Sequence, residues 1–109
     1  MLKYIKQLAQ VIAKQIGLMK EGDNAQAQEL IDSTLTQLNV DEQFNLTNIP
    51  VQYHESIADL IKLKGQLNND AELLNRAVTI YNNINREQQT FSMIRNEKIN
   101  TIKSIITHL

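Results

Sequence analysis

The sequence predicts an all-α fold made of antiparallel helical hairpins, with about five helices in one domain. Apolar residues recur at intervals of three or four along most of the 109-residue chain, and this is the period of a helix with one buried face. Aromatic residues make up only 5% of the chain and Trp is absent, so aliphatic side chains must fill the core. Such side chains suit helix-on-helix packing. Residues 1–109 therefore fit a single helical domain.

The first predicted hairpin covers residues 2–39. Its first helix spans about residues 2–20, and Gly22 then interrupts the apolar pattern. Asp23 with Gln26 matches a capping box, in which side chains satisfy unpaired amides at the start of a helix. Because the connection is short, the second helix must lie antiparallel to the first.

Residues 40–49 are predicted to connect the two hairpins. They lose the helical period, although one helical turn at residues 41–46 is compatible with their composition. Their apolar residues are expected to pack onto the helices: Val40, Phe44, Leu46 and Ile49.

The second predicted hairpin covers residues 50–85. Pro50 suits the first turn of its first helix, where the missing N–H is not needed. Asn69 with Glu72 repeats the capping-box pattern and is expected to start the fourth helix. A small residue at Gly65 allows the paired helices to approach closely.

The closing helix is predicted at residues 86–107. A cluster of Asn at 82–85 weakens helical preference and favours a turn, and Asn85 with Gln88 would then cap the last helix. If the cluster stays helical, the fourth and fifth segments fuse into one rod. The apolar side of the last helix is supplied by Phe91, Ile94, Ile99, Ile102, Ile105, Ile106 and Leu109. Its final turns would finish the core or form an exposed patch for self-association, through Ile99, Ile102, Ile105, Ile106 and Leu109.

Charge is unevenly distributed along the chain, although the net charge is −1. Residues 1–20 carry +4, residues 21–59 carry −8 without any Lys or Arg, and the remainder carries +3. Neighbouring helices of opposite sign are expected to pair with each other. The alternative is a weak nucleic-acid binder that uses one of two basic sets, either Lys3, Lys6 and Lys14 or, in the last helix, Arg95, Lys98 and Lys103. Neither basic set is dense and the pI is about 6.1, so nucleic acid is not the expected partner.

Composition also excludes several classes of protein. Cysteine is absent, so there is no disulfide framework, no thiolate metal site and no cysteine nucleophile. No apolar run approaches the roughly 18 residues that span a bilayer. A cytoplasmic protein without a membrane anchor is the expectation.

The order of helices resembles that of tetratricopeptide repeats. The residues that carry the resemblance in the first hairpin are Leu18, Gly22, Asp23, Ala27 and Ile31, and in the second they are Gly65, Ala77, Tyr81 and Ile84. Gln15 and the Asn68–Asp70 turn depart from the repeat pattern. The resemblance implies a stack of helical hairpins that serves as a protein-binding scaffold.

The first 40 or so residues also resemble a family of short, uncharacterised bacterial proteins. The matching stretches are Tyr4-Ile5, Gln7-Leu8-Ala9, Ile12-Ala13-Lys14 and Glu29-Leu30-Ile31-Asp32. This resemblance implies a fold and no activity.

Motifs for catalysis or metal binding are incomplete. His54-Glu55 begins like the zinc motif His-Glu-x-x-His, but Ala58 stands where the second ligand should be. Glu55 and Asp59 lie one helical turn apart, and a solvated face is the simpler interpretation of that pair. No metal or other cofactor is predicted, and an enzyme is not expected. The alternative is a small helical enzyme or ligand carrier that uses His54, Glu55 and Asp59.

The predicted function is a non-catalytic helical scaffold that binds a protein partner, or a second copy of itself, in a groove between hairpins. Candidate groove residues share an apolar body, and in most cases an aromatic ring: Tyr4, Val11, Tyr53, Tyr81 and Phe91. A place in the core is the competing interpretation for each of them.

Overall fold

The computed structural model of the chain describes residues 10, 12, 14, 17, 21–38, 40, 43–47, 49–88 and 92–109. Within this part of the chain there are four α-helices and no strand: α1 (Asn24–Gln37), α2 (His54–Asn68), α3 (Ala71–Gln88) and α4 (Met93–Thr107). One turn of 3-10 helix, Val51–Tyr53, leads directly into α2. The predicted all-α fold class is confirmed.

The start of α1 is the one that the sequence predicted. The Asp23 carboxylate accepts a hydrogen bond from the backbone N–H of Gln26 at 3.3 Å, which satisfies an amide that has no partner inside the helix. Before the turn, the described residues of the first predicted helix are helical: Gln10, Ile12, Lys14 and Gly17.

The central element of the core is α2, which packs against α1 on one side and against α3 on another. Its apolar positions are spread around a broad arc, so it has buried contacts on several faces. Those buried residues are Ile57, Ala58, Leu60, Ile61, Leu63 and Gly65. The other helices contribute Ile31, Leu35, Leu74, Tyr81, Ile84, Ile99 and Ile102 to the same core.

The turn between α2 and α3 differs from the prediction. Asn69 does not cap α3; it ends α2 in the left-handed conformation, with φ 50° and ψ 45°. The N–H of Asp70 donates to the Gly65 carbonyl at 2.9 Å, which is the Schellman arrangement for closing a helix. The Asp70 carboxylate then caps α3 by accepting from the N–H of Leu73 at 3.2 Å. The predicted capping residue was wrong by one position. Asn69 adopts the left-handed conformation that ends α2, which Asn tolerates better than most residues, and the next residue, Asp70, caps α3.

The predicted turn at 82–85 is absent, because α3 continues through it to Gln88. Burial of Tyr81 and Ile84 against the core outweighs the weak helical preference of the Asn residues. The cap of α4 is Ser92, whose hydroxyl accepts from the N–H of Arg95 at 3.2 Å, not Asn85. The last helix therefore begins at Met93, and it is separate from α3.

The connector packs as predicted. Val40, Phe44, Leu46 and Ile49 are half-buried against the core. Residue 43 lies in a turn, but residues 44–46 are not helical, so a helical turn does not extend through 44–46. An Asx turn orders this stretch instead, since the Asn45 side-chain oxygen accepts from the N–H of Thr47 at 3.0 Å.

The apolar face of α4 is narrower than predicted. Ile99 and Ile102 are buried in the core, whereas Ile105 and Ile106 are half-buried against its edge. Ile94 is 67% exposed and Leu109 is 54% exposed, so these two do not complete the core. The apolar pattern of the sequence therefore continues at both ends of α4, where these side chains are not covered by the core.

Gly65 allows α2 and α3 to approach closely. A Cβ atom at this position would lie 2.8 Å from Cγ and 2.9 Å from Cδ2 of Leu74, and Leu74 is completely buried. We expect Gly65→Ala to lower the free energy of unfolding by about 1–2 kcal/mol, since overpacking outweighs the better helix propensity of Ala. Urea unfolding measures this change.

Gly17→Ala is the matched control. Gly17 is also helical, but an added Cβ would meet nothing within 4 Å. This variant should be neutral or more stable by up to about 1 kcal/mol. Equal effects of the two substitutions would contradict a close contact at Gly65.

Candidate functional site

A cluster of charged side chains joins α2, α3 and α4. Two acids of α2, Glu55 and Asp59, face two bases of α4, Arg95 and Lys98, and Tyr81 of α3 lies beside them. We call these five residues the ionic cluster. On α2 the acids are four residues apart and on α4 the bases are three apart, so each pair lies on one face of its helix.

Arg95 is the most buried charge of the ionic cluster, with only 8% of its surface exposed. Its Nε donates to Oε1 of Glu55 at 2.8 Å. The other two guanidinium nitrogens donate to α3: Nη2 to the Gln88 side chain at 3.0 Å, and Nη1 to the Asn85 side chain. All three nitrogens are therefore hydrogen-bonded, which is the condition for burying a guanidinium.

Lys98 bridges both acids. Its Nζ lies 3.0 Å from Oε2 of Glu55 and 3.0 Å from Oδ1 of Asp59. The same Nζ is 5.7 Å from the ring centroid of Tyr81, within the range of a cation–π contact. The Tyr81 hydroxyl donates to Oδ1 of Asp59, so each member of the cluster has a partner.

These contacts change the pKa values of the cluster. Partial burial raises the pKa of Glu55, but the hydrogen bonds and charges of Lys98 and Arg95 outweigh burial and hold it below its ordinary 4.5. Burial lowers the pKa of Lys98, and its contacts with Asp59 and Glu55 more than offset this, so the net shift is upward. Burial, and then the charge of Asp59, raise the pKa of Tyr81 far above 10.0.

The ionic cluster has the properties of a structural ion-pair network. A general acid needs a carboxyl pKa raised toward the working pH, whereas the pKa of Glu55 is lowered. His54 does not join the cluster. Its Nε2 is 2.8 Å from the Ile49 carbonyl, so this nitrogen carries the proton and donates to the connector.

Two sequence interpretations change as a result. Glu55 and Asp59 do not form a solvated face, because α4 covers them with Arg95 and Lys98. The structural pairing of acidic with basic segments agrees with the charge distribution of the sequence. Of the three basic residues of the last helix that were considered for nucleic-acid binding, Arg95 and Lys98 form these ion pairs. Only Lys103 of these three is exposed. Lys3 and Lys6 lie outside the described residues.

A second feature is a groove of about 840 Å³ between the connector and α3. Its volume lies in the range of about 300–1,000 Å³ that is usual for ligand sites. One wall is formed by the connector and the start of α2, with Gln43, Phe44, Asn45, Leu46, Thr47, Ile49, Val51 and His54. The other wall is the outer face of α3, with Arg76, Thr79, Ile80, Asn83 and Glu87.

The groove combines one wall of mixed apolar and polar residues with a second wall, on α3, that is mostly polar. Val51 at its rim is 49% exposed, while Ile80 at its base is 7% exposed. Phe44 has a left-handed backbone, with φ 56°, a conformation that costs a bulky residue energy and must be held by its surroundings. Sequence reasoning missed this site, because no periodic pattern shows how the connector folds across α3.

The candidate residues from the sequence lie elsewhere. Tyr53 and Tyr81 are buried in the core, so neither presents its ring to the groove. Tyr4, Val11 and Phe91 lie outside the described residues. Of the three residues proposed for catalysis or ligand carriage, His54 lines the groove, while Glu55 and Asp59 belong to the ionic cluster.

Within the part of the chain that the structure describes, no helix combines the length and the apolar character needed to cross a bilayer. The same residues contain no group of three or more His, Asp or Glu side chains placed to hold a metal ion. Comparisons with protein-family models, curated proteins and solved structures found no match. The fold and the two sites are thus the basis for assigning a function.

The ionic cluster should contribute measurably to stability. We expect Arg95→Met to lower the free energy of unfolding by about 2 kcal/mol, because it leaves Glu55 with one cation instead of two and leaves two amide oxygens of α3 without their donor. Lys103→Met is the matched control, since Lys103 is exposed on the same helix and loses the same charge. Its effect should stay within about 0.5 kcal/mol, and equal effects in urea unfolding would contradict the role of Arg95.

Stability should also depend on alkaline pH. The pKa values of Tyr81 and Lys98 are raised above their ordinary 10.0 and 10.5, so the folded protein keeps protons that the unfolded chain releases above those values. The stabilisation that Tyr81 and Lys98 supply is therefore complete below pH 10.0 and falls as the pH rises beyond it, by up to about 1.4 kcal/mol per pH unit for each proton.

Tyr81→Phe removes the larger of these two pKa shifts, so most of the alkaline fall in stability should disappear. The acid side of the profile is the internal control. The pKa of Glu55 is lowered from 4.5, so its contribution is present above pH 4.5 and is lost as the pH falls, and this variant retains it. An unchanged alkaline slope in urea unfolding would contradict the cluster as described.

Proposed function

We propose that this protein is a non-catalytic helical scaffold of tetratricopeptide-like type, which binds a peptide segment of a protein partner in the groove between the connector and α3. The groove is the observation that carries the proposal. The resemblance to short bacterial proteins makes a cytoplasmic bacterial protein the expected setting.

The walls of the groove support this function. Side chains such as Leu46 and Val51 offer apolar contact, while the amide nitrogen of Asn83 on α3 offers a hydrogen-bond donor beside them. A mixed lining of this kind is typical of surfaces that bind protein partners. The Asx turn at Asn45 and the hydrogen bond from His54 to Ile49 hold the connector in place, so little ordering is needed on binding.

The charges of the ionic cluster support a scaffold over an enzyme. Glu55 and Asp59 are each bound to Lys98, and Glu55 is also bound to Arg95. A small enzyme or ligand carrier using His54, Glu55 and Asp59 has less support, since the first residue lines the groove and the other two are held by α4.

The test is selection of binding peptides from a random phage-displayed library with the full chain as target, followed by fluorescence anisotropy of the selected peptides. Thr79→Trp should block the groove and weaken binding by about tenfold or more, which is about 1.4 kcal/mol. Thr79 is exposed and its hydroxyl donates only to the Asn75 carbonyl at 3.0 Å, so the helix should tolerate the change.

Thr101→Trp is the control. Thr101 is exposed on α4, and its hydroxyl donates to the Glu97 carbonyl at 2.9 Å in the same way. This variant should bind the selected peptides like the unmodified protein. A failure to select any peptide, or equal loss in both variants, would overturn the proposal. Dimers that form with concentration and vanish in Thr79→Trp would mean that the groove holds a second copy of the chain.

A further inference from the structure

The groove has one charged residue toward each end of its helical wall. Arg76 and Glu87 are the charged members among the described lining residues, and both are exposed. In the part of the chain that the structure describes, neither side chain has an ion pair or a side-chain hydrogen bond. Arg86 does not line the groove, and it donates to the Asn83 side chain.

The two charges are too far apart to neutralise each other. Glu87 lies eleven positions after Arg76, which is about 16 Å along a helix. Ile80 and Asn83 lie between them on α3, and apolar side chains of the connector lie opposite. Among the described residues of the other wall His54 is the titratable one, and it donates to the Ile49 carbonyl. The described lining of the groove therefore carries a positive charge toward one end and a negative charge toward the other, and it is partly apolar between them.

We infer that the groove selects an extended peptide that has an acidic side chain at one end, a basic side chain at the other, and apolar side chains between them. This inference rests on the proposed function. Since an extended chain rises about 3.3 Å per residue, the two charges of the peptide should lie about five residues apart. The acidic end then faces Arg76 and the basic end faces Glu87, and complementary charge supplies specificity.

Four synthetic peptides test the charge pattern by fluorescence anisotropy. They share one apolar centre and carry at their ends an acid and a base, two acids, two bases, or no charge; capped termini remove the terminal charges. The peptide with an acid and a base is tested in both chain directions. The unmodified protein should prefer the peptide with an acid and a base, in at least one of its two directions, by about three- to tenfold over the peptides with like charges at both ends, as expected for exposed ion pairs.

Charge-reversal variants should switch this preference. Arg76→Glu makes both ends of the groove acidic, so the peptide with two bases should bind best. Glu87→Arg makes both ends basic, so the peptide with two acids should bind best. Lys103→Glu and Glu97→Arg make the same charge changes on exposed positions of α4, and they should leave the order of affinities unchanged.

The dependence of the peptide affinities on salt concentration tests the inference without any variant. The preference of the unmodified protein should shrink toward equal affinities at high ionic strength, because exposed charges are screened. Equal affinities for all four peptides at low salt, or an unchanged order in Arg76→Glu and Glu87→Arg, would overturn the charge pattern while peptide binding stands. If none of these peptides or the library-selected peptides binds, the proposed function fails as well.

Discussion

The position of α4 depends on the ion pair between Arg95 and Glu55. Arg95 is nearly buried, and a buried guanidinium without partners would be strongly destabilising. Glu55 on α2 and two amide oxygens on α3 satisfy it together, so the observed placement of α4 meets all three requirements. Hydrophobic burial of Ile99 and Ile102 holds α4 on the core, and the ion pair selects its register.

The two faces of α3 have different roles because of helical periodicity. Leu74, Tyr81 and Ile84 lie on the inner face and belong to the core, while Arg76 and Glu87 lie on the outer face and line the groove. The charged side chains of the ionic cluster pair with one another inside the fold. Those of the groove have no internal partner among the described residues, which makes the groove the better candidate for recognition.

Much of the fold could be predicted from local signals. The cap at Asp23 and the small residue at Gly65 follow from backbone chemistry within a few residues, and the fold class follows from apolar periodicity. The errors arose where distant contacts outweighed local preference. α3 continues through Asn82 because Ile84 is buried, and Glu55 is covered because a helix forty residues later packs on it.

The amino-acid sequence by itself determined the helices, the apolar core and the opposite charges of neighbouring segments, since each depends on residue type and spacing along the chain. Only the tertiary structure decided which acids meet which bases, and how the connector and α3 enclose a groove. Those features depend on side chains that are far apart in sequence. Their meeting is set by the packing angle and register of whole helices, which a local pattern does not encode.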